Sequence, residues 1–269
     1  MILSCDIGNS SSSFGLFEED NKNYNNYNYN IIKTFRIDTE KISSIPDLKK
    51  FMSKNIALKE LSGVCVSSVA PSANPIYDEF FTRAKLKPFF ILPDIKLNIT
   101  LCVENSSKLG SDRIANACWA HFFNMSSYNK KFQIIIDLGT AVTLDAVDKK
   151  GDFLGGVIYP GIDSLTKGLY ESTEKLPLVK IIKPKTLIGT DTESAIQSGI
   201  YNGILFLIKG FIDGICNFYN VCGKNNIGVI FTGGQSKLIF DELNVNAEKI
   251  LDEHCTLKGI KYLYDINNY

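Results

Sequence analysis

Two short acidic turns stand out among the residues able to do chemistry: Asp6-Ile7-Gly8-Asn9-Ser10 and Asp137-Leu138-Gly139-Thr140, each directly after an apolar run. Glycine in such a turn lets the backbone bend tightly and approach a ligand closely. The exposed amides, together with the hydroxyls of Ser10, Ser11, Ser12 and Ser13, can donate to phosphate oxygens. A carboxylate repels phosphate, so an aspartate here would meet it through a cation. A single Asp-x-Gly is more simply a hairpin turn; two copies at equivalent places favour phosphate handling.

A third cluster, Gly110-Ser111-Asp112-Arg113, stands before a stretch with helical spacing, where Ile114, Ala117, Cys118 and His121 share a face. Asp112 can be a helix N-cap bonding the first free amides. As an ionised carboxylate beside Arg113 it can also be a base for a substrate hydroxyl, with Arg113 holding a substrate carboxylate or offsetting phosphate charge. Both readings stay open. Gly155 to Gly161 and Thr232-Gly233-Gly234-Gln235 are strand exits that are either tight turns or places where a nucleotide nears the backbone. Neither a P-loop nor a Gly-x-Gly-x-x-Gly pattern occurs, which disfavours those two nucleotide sites.

The elements that must carry these residues follow from hydrophobic period. Strands are expected at 2–7, 14–18, 31–37 and 63–67, with helices at 46–55 and 75–85. The small-residue run Gly8 to Ser13 reads as the turn between the first two strands, and the Asn/Tyr/Lys tract Asn21 to Asn30 as a solvated hairpin loop. After the helix from Asp112 to Phe123 the opening pattern returns. Strands at 132–140, 141–147 and 152–158 precede helices at 161–170 and 193–219 and a strand at 227–232. The chain therefore reads as a duplicated β-β-β-α-β-α unit, divided into 1–111 and 112–269, with a ligand cleft expected where two such halves face each other.

Composition bounds the rest. The chain has 269 residues, 45% of them hydrophobic, with 29 basic and 29 acidic side chains. Zero net charge gives no electrostatic reason to expect nucleic acid or an anionic membrane. Apolar runs such as Gln133 to Leu138 are too short to cross a bilayer, and the N-terminus lacks the basic region of a signal peptide. Seven scattered cysteines without a CxxC pair, and two histidines, fit a cytoplasmic protein with reduced thiols and no zinc. Cys118-x-x-His121 reads as packing.

Taken together the motifs resemble the type III pantothenate kinases. The matching segments include Asp6 to Ser10, Val66 to Pro71, Leu109 to Arg113, Asp137 to Asp145 and Gly155 to Gly161, then Gly189-Thr190-Asp191-Thr192, Gln197 to Gly199 and Thr232 to Gly234. The order of these segments is the specific signal. The resemblance implies an α/β architecture of the acetate and sugar kinase/Hsp70/actin class, built from duplicated ribonuclease-H-like domains. It implies transfer of the γ-phosphate of ATP to the primary hydroxyl of pantothenate, the first step of coenzyme A synthesis.

By the same resemblance Asp6, Ile7, Gly8, Asn9, Ser10, Ser11, Ser12 and Ser13 form the ATP-phosphate loop, and Thr140 contacts the nucleotide. Asp137 binds a monovalent cation, potassium or ammonium, while magnesium travels with ATP near Asp6. Gly110, Ser111, Asp112 and Arg113 hold pantothenate, with Asp112 as the base. Thr192 reaches pantothenate from the neighbouring subunit of a homodimer. The competing readings are a non-catalytic accessory or regulatory relative, and a sugar or acetate kinase of the same fold.

Overall fold

The computed structural model describes residues 1–19 and 29–268, so most of the Asn/Tyr/Lys tract lies outside the described residues. The strands are β1 (Ile2–Ile7), β2 (Ser11–Phe17), β3 (Ile31–Asp38), β4 (Gly63–Ser68), β5 (Phe89–Phe90), β6 (Thr100–Leu101), β7 (Phe132–Leu138), β8 (Ala141–Asp148), β9 (Asp152–Pro160), β10 (Ile227–Thr232) and β11 (Glu248–Leu251). The helices are α1 (Ile45–Asn55), α2 (Asn74–Arg83), α3 (Ser111–Phe123), α4 (Ile162–Glu171), α5 (Thr192–Tyr219), α6 (Ser236–Phe240) and α7 (Cys255–Asn268).

Two compact units result, Met1–Phe122 with His254–Tyr269, and Phe123–Glu253. This grouping differs from a division at 111/112, because α3 and the last helix belong with the first unit. The reason is local packing. Gly15 lies under Leu257, and a Cβ on Gly63 would collide with Tyr264, so these two glycines clear the sheet face on which α7 rests. Gly259 of α7 in turn leaves no room for a side chain against the Ala115 carbonyl of α3.

In the first unit the strand order is β3-β2-β1-β4-β5. β1 pairs antiparallel with β2 and parallel with β4. Alternation buries Leu3, Cys5 and Ile7 of β1 with Phe14, Leu16, Val64 and Val66 against Leu48, Met52, Tyr77 and Phe81 of α1 and α2. The opposite face of β1 carries Asp6.

In the second unit the strands run β11-β10-β7-β8-β9. Ile134, Ile136, Leu144, Val229 and Phe231 form its core with Ile200, Ile204, Ile208 and Ile212 of α5. Those isoleucines recur every four residues, which keeps them on one helical face. At 28 residues α5 is the one described helix long and apolar enough to cross a membrane by length and composition; the reading of short apolar runs alone overlooked it. Its isoleucine face is core material of this unit.

Candidate functional site

Each unit places an aspartate one residue before the end of a central strand, flanked on both sides by a hydroxyl residue. In the first, Asp6 stands opposite Ser13 of β2 and Ser67 of β4. In the second, Asp137 stands opposite Thr143 of β8 and Thr232 of β10. Residues paired in register share a face. The duplication seen as two Asp-x-Gly turns is thus a duplicated three-residue row. The places of Ser67 and Thr232 in these rows cannot be read from their own segments, because the row exists only through strand pairing.

The first turn is tighter than the run of serines suggests. Gly8 N–H donates to the Ser11 carbonyl at 3.0 Å, and a Cβ on Gly8 would lie 2.9 Å from the same oxygen. Strand β2 begins at Ser11, not after Ser13. Alternation then sends Ser12 to the core side with Phe14, where its Oγ lies 3.0 Å from Thr39 Oγ1 and accepts from Tyr77 Oη at 3.2 Å. Ser12 is fully buried and anchors the turn from below, while Ser13 shares the face of Asp6. Thr39 also donates to the Gly8 carbonyl at 2.7 Å, so the turn is braced from β3's end as well.

The second turn closes with Gly139 N–H donating to the Ala141 carbonyl at 3.0 Å. Thr140 is exposed, and its carbonyl accepts from Gly161 N–H at 3.0 Å and Ser164 Oγ at 2.8 Å. Gly161 must be glycine because a Cβ there would collide with the Gly139 carbonyl. Gly233, with φ +88°, occupies the left-handed region, and a side chain there would strike the Asp137 carboxylate. The buried Thr232 Oγ1 and Gln235 Oε1 have no hydrogen-bond partner. Such orphaned oxygens next to a carboxylate row are unusual in a finished interior.

At the third cluster, Ile114 N–H donates to the Gly110 carbonyl at 3.1 Å, which makes Gly110 the cap and Asp112 the second residue of α3. The N-cap reading of Asp112 therefore fails by position. Its Oδ1 accepts from Arg113 N–H at 2.8 Å. Burial pushes the Asp112 carboxyl above its ordinary range, against the opposing pull of the Arg113 amide and guanidinium. A Cβ on Gly110 would sit 2.5 Å from Asp112 Oδ1 and 3.4 Å from Val69 Cγ1. Glycine at 110 is the space the carboxylate occupies.

Ser111 does something other than face a ligand. Its Oγ accepts from Ser68 N–H at 2.8 Å, donates to the Ser68 carbonyl at 3.1 Å and lies 2.9 Å from Ser67 Oγ. The hydroxyl is buried and ties the start of α3 to the end of β4.

Thr192 is the exposed first residue of α5. Asp191 caps the helix, accepting from Ser194 N–H at 3.0 Å and from Ser194 Oγ at 2.6 Å. These bonds hold the Asp191 carboxyl below its ordinary range. Gly189 is required because a Cβ there would collide with the Ala195 amide. The Gly-Thr-Asp-Thr motif is a cap that fixes where Thr192 stands.

Five of the seven cysteines are buried, and all seven are free thiols. Burial pushes the Cys65 thiol up to about 12 and Cys5 well up too, so neither is a nucleophile near neutral pH. Among the described residues no group of three His, Cys, Asp or Glu side chains could hold a metal ion.

The model of the type III pantothenate kinase family matches residues 2–214. The chain belongs to this family. It is 34% identical over 273 residues to the type III pantothenate kinase of Sulfurihydrogenibium sp. (strain YO3AOP1), covering 98% of this chain and 99% of that one. The corresponding enzyme of Persephonella marina is 36% identical over 278 residues, covering 100% and 99%. Among solved structures, a Campylobacter jejuni protein described as a Baf family transcriptional activator superposes with TM-score 0.59 at 21% identity, over 98% of both chains. A Sinorhizobium meliloti protein described as a 2-dehydro-3-deoxygalactonokinase gives TM-score 0.57 at 9% identity, over 99% of this chain and 96% of that one. At these identities the likeness is one of fold, and the fold is that of the acetate and sugar kinase/Hsp70/actin class.

Proposed function

We propose that this family member is a working ATP-dependent pantothenate kinase whose base is Asp112. Pantothenate's primary hydroxyl attacks the γ-phosphorus, its proton passes to an Asp112 oxygen, and the bond to the ADP oxygen breaks. A carboxyl raised by burial is a stronger base than a solvated one, and the Gly110 gap and Arg113 amide fix where it points. That pairing of a perturbed carboxyl with a space made for it carries the assignment. Arg113 holds the pantothenate carboxylate, and Ser111 positions the segment through β4. The Asp6–Ser13 segment takes the ATP phosphates, Asp6 would face the magnesium that accompanies them, and Thr140 contacts the nucleotide.

Asp137 suits a monovalent cation, potassium or ammonium. The orphaned, buried Thr232 Oγ1 opposite it and the glycine at 233 fit a hard cation bound by oxygens. Such an ion would offset negative charge on the phosphates.

The homodimer reading rests on α5. Thr192, Gly199, Gly203, Phe206, Gly210 and Gly214 recur at three-, four- and seven-residue spacing, which puts them on one stripe. A Cβ on any of these four glycines meets nothing within 4 Å, and Phe206 is 61% exposed. A bare backbone stripe with a projecting phenylalanine suits close approach of a second copy. Thr192 at the head of that stripe then reaches the partner's pantothenate. A cytoplasmic location accords with seven free thiols.

A coupled assay of ADP release decides the activity. Turnover that needs pantothenate, and that glucose or acetate cannot replace, is the expected result. Nucleotide binding without any ADP release would leave an accessory protein.

A further inference from the structure

We propose that Arg36 of β3 is a phosphate-binding residue that supplies the positive charge the β1–β2 turn lacks. The inference rests on reading that turn as the ATP-phosphate loop. Residues 6–13 contain one carboxylate and no cationic side chain. Arg36 pairs with Ser13, and Ser13 pairs with Asp6, so the three form one transverse row and project to one side of the sheet. Two strand spacings, about 10 Å, separate the ends of the row. A polyphosphate lying over Ser13 would therefore have the aspartate and its cation on one flank and Arg36 on the other.

The side chain is already turned toward the loop. Arg36 Nη2 donates to Ser11 Oγ at 2.6 Å. Asp38, the acidic neighbour on the same face of β3, is held by Lys41 at 2.6 Å. Among the described residues no ion pair engages the Arg36 guanidinium, and the side chain is exposed. One serine uses one of its five N–H donors. The remaining fork matches phosphate oxygens in geometry and sign.

The test is calorimetric titration of ATP, ADP and adenosine into the full-length protein, with Arg36→Gln, Arg36→Lys and Asp6→Asn alongside the native chain. Losing a charged hydrogen-bonding partner of phosphate should weaken ATP and ADP about tenfold. Adenosine affinity and pantothenate KM should stay within twofold, and Arg36→Lys should recover part of the loss. Lower sensitivity of ATP affinity to salt in Arg36→Gln is also expected. Equal weakening of adenosine and ATP would mean that Arg36 only props Ser11, and the proposal falls. If Arg36→Gln binds ATP normally while Asp6→Asn does not, Arg36 is wrong and the loop reading stands. Normal ATP binding by both variants would overturn the loop reading, and this inference with it.

Discussion

Replacing Gly110 by alanine should disable the enzyme without unfolding it. The added Cβ would sit 2.5 Å from Asp112 Oδ1, whereas ordinary van der Waals contact begins near 3.4 Å, so the carboxylate must retreat by about 1 Å. The other neighbour, Val69 Cγ1 at 3.4 Å, already tolerates a methyl group. Strain therefore falls on the one flexible group that matters. A misplacement of about 1 Å at a reacting centre costs on the order of 100-fold in rate. Gly110→Ala should accordingly lose about that factor in kcat, with ATP affinity and Tm close to native. Alanine is a poorer N-cap than glycine, so a loss of stability of up to about 1 kcal/mol is expected from the cap alone, too little to account for a fall of about 100-fold in kcat. The assay is steady-state ADP release with pantothenate and ATP varied separately, beside a thermal melt. A kcat within threefold of native would refute the reasoning, because Asp112 would then have no need of its present position.

Asp112→Asn should lower kcat by roughly 10²–10⁴ and remove the acid limb of the pH–rate profile, which in the native enzyme should lie above the ordinary aspartate value near 3.8. The folded chain holds this proton more readily than the unfolded one, so ionised Asp112 costs stability once pH exceeds that ordinary value; Tm of the variant at pH 7 should be equal or higher, and a lower Tm would contradict the burial argument. Ser111→Ala strands the Ser68 amide and should cost about 1–3 kcal/mol in denaturant unfolding, with an unchanged midpoint counting against the clamp. The native enzyme should be stimulated by potassium over sodium and Asp137→Ala should abolish that stimulation; an enzyme equally active without monovalent cations would refute the assignment. Mixed after unfolding, Asp112→Asn and Thr192→Tyr chains should recover roughly a quarter of native activity per site, since about half the dimers are mixed and each has one intact site; no recovery from confirmed dimers would reject a shared pocket.

Much of this was legible because strong periodicity marks long elements. The expected strands at 2–7, 31–37, 132–140 and 227–232 and the helix at 193–219 fall within a residue or two of those observed. Ser12 lies in β2 and not in the turn, and the signal is in the sequence: Phe14 is apolar two positions on, and period two puts Ser12 on the same buried face. The N-cap reading of Asp112 misses the cap by two positions, because the cap at Gly110 is a backbone carbonyl, which leaves no side-chain signature. No local pattern told that α7 returns to the first unit; its partners Gly15, Gly63 and Ala115 are remote in sequence. The rows through Asp6 and Asp137, and Arg36 with them, depend on strand register. Register is a property of pairs, so no single segment contains it.

The four bare glycines of α5 bear on how the protein behaves when diluted. Each costs about 1 kcal/mol of helix propensity against alanine, roughly 4 kcal/mol across positions 199, 203, 210 and 214, in the helix whose isoleucines build the second unit's core. A lone subunit carries that deficit with a phenylalanine in water. In the proposed homodimer, mass action then makes subunit concentration a determinant of stability: the melting temperature should climb with protein concentration, and the kinase should be most fragile when dilute.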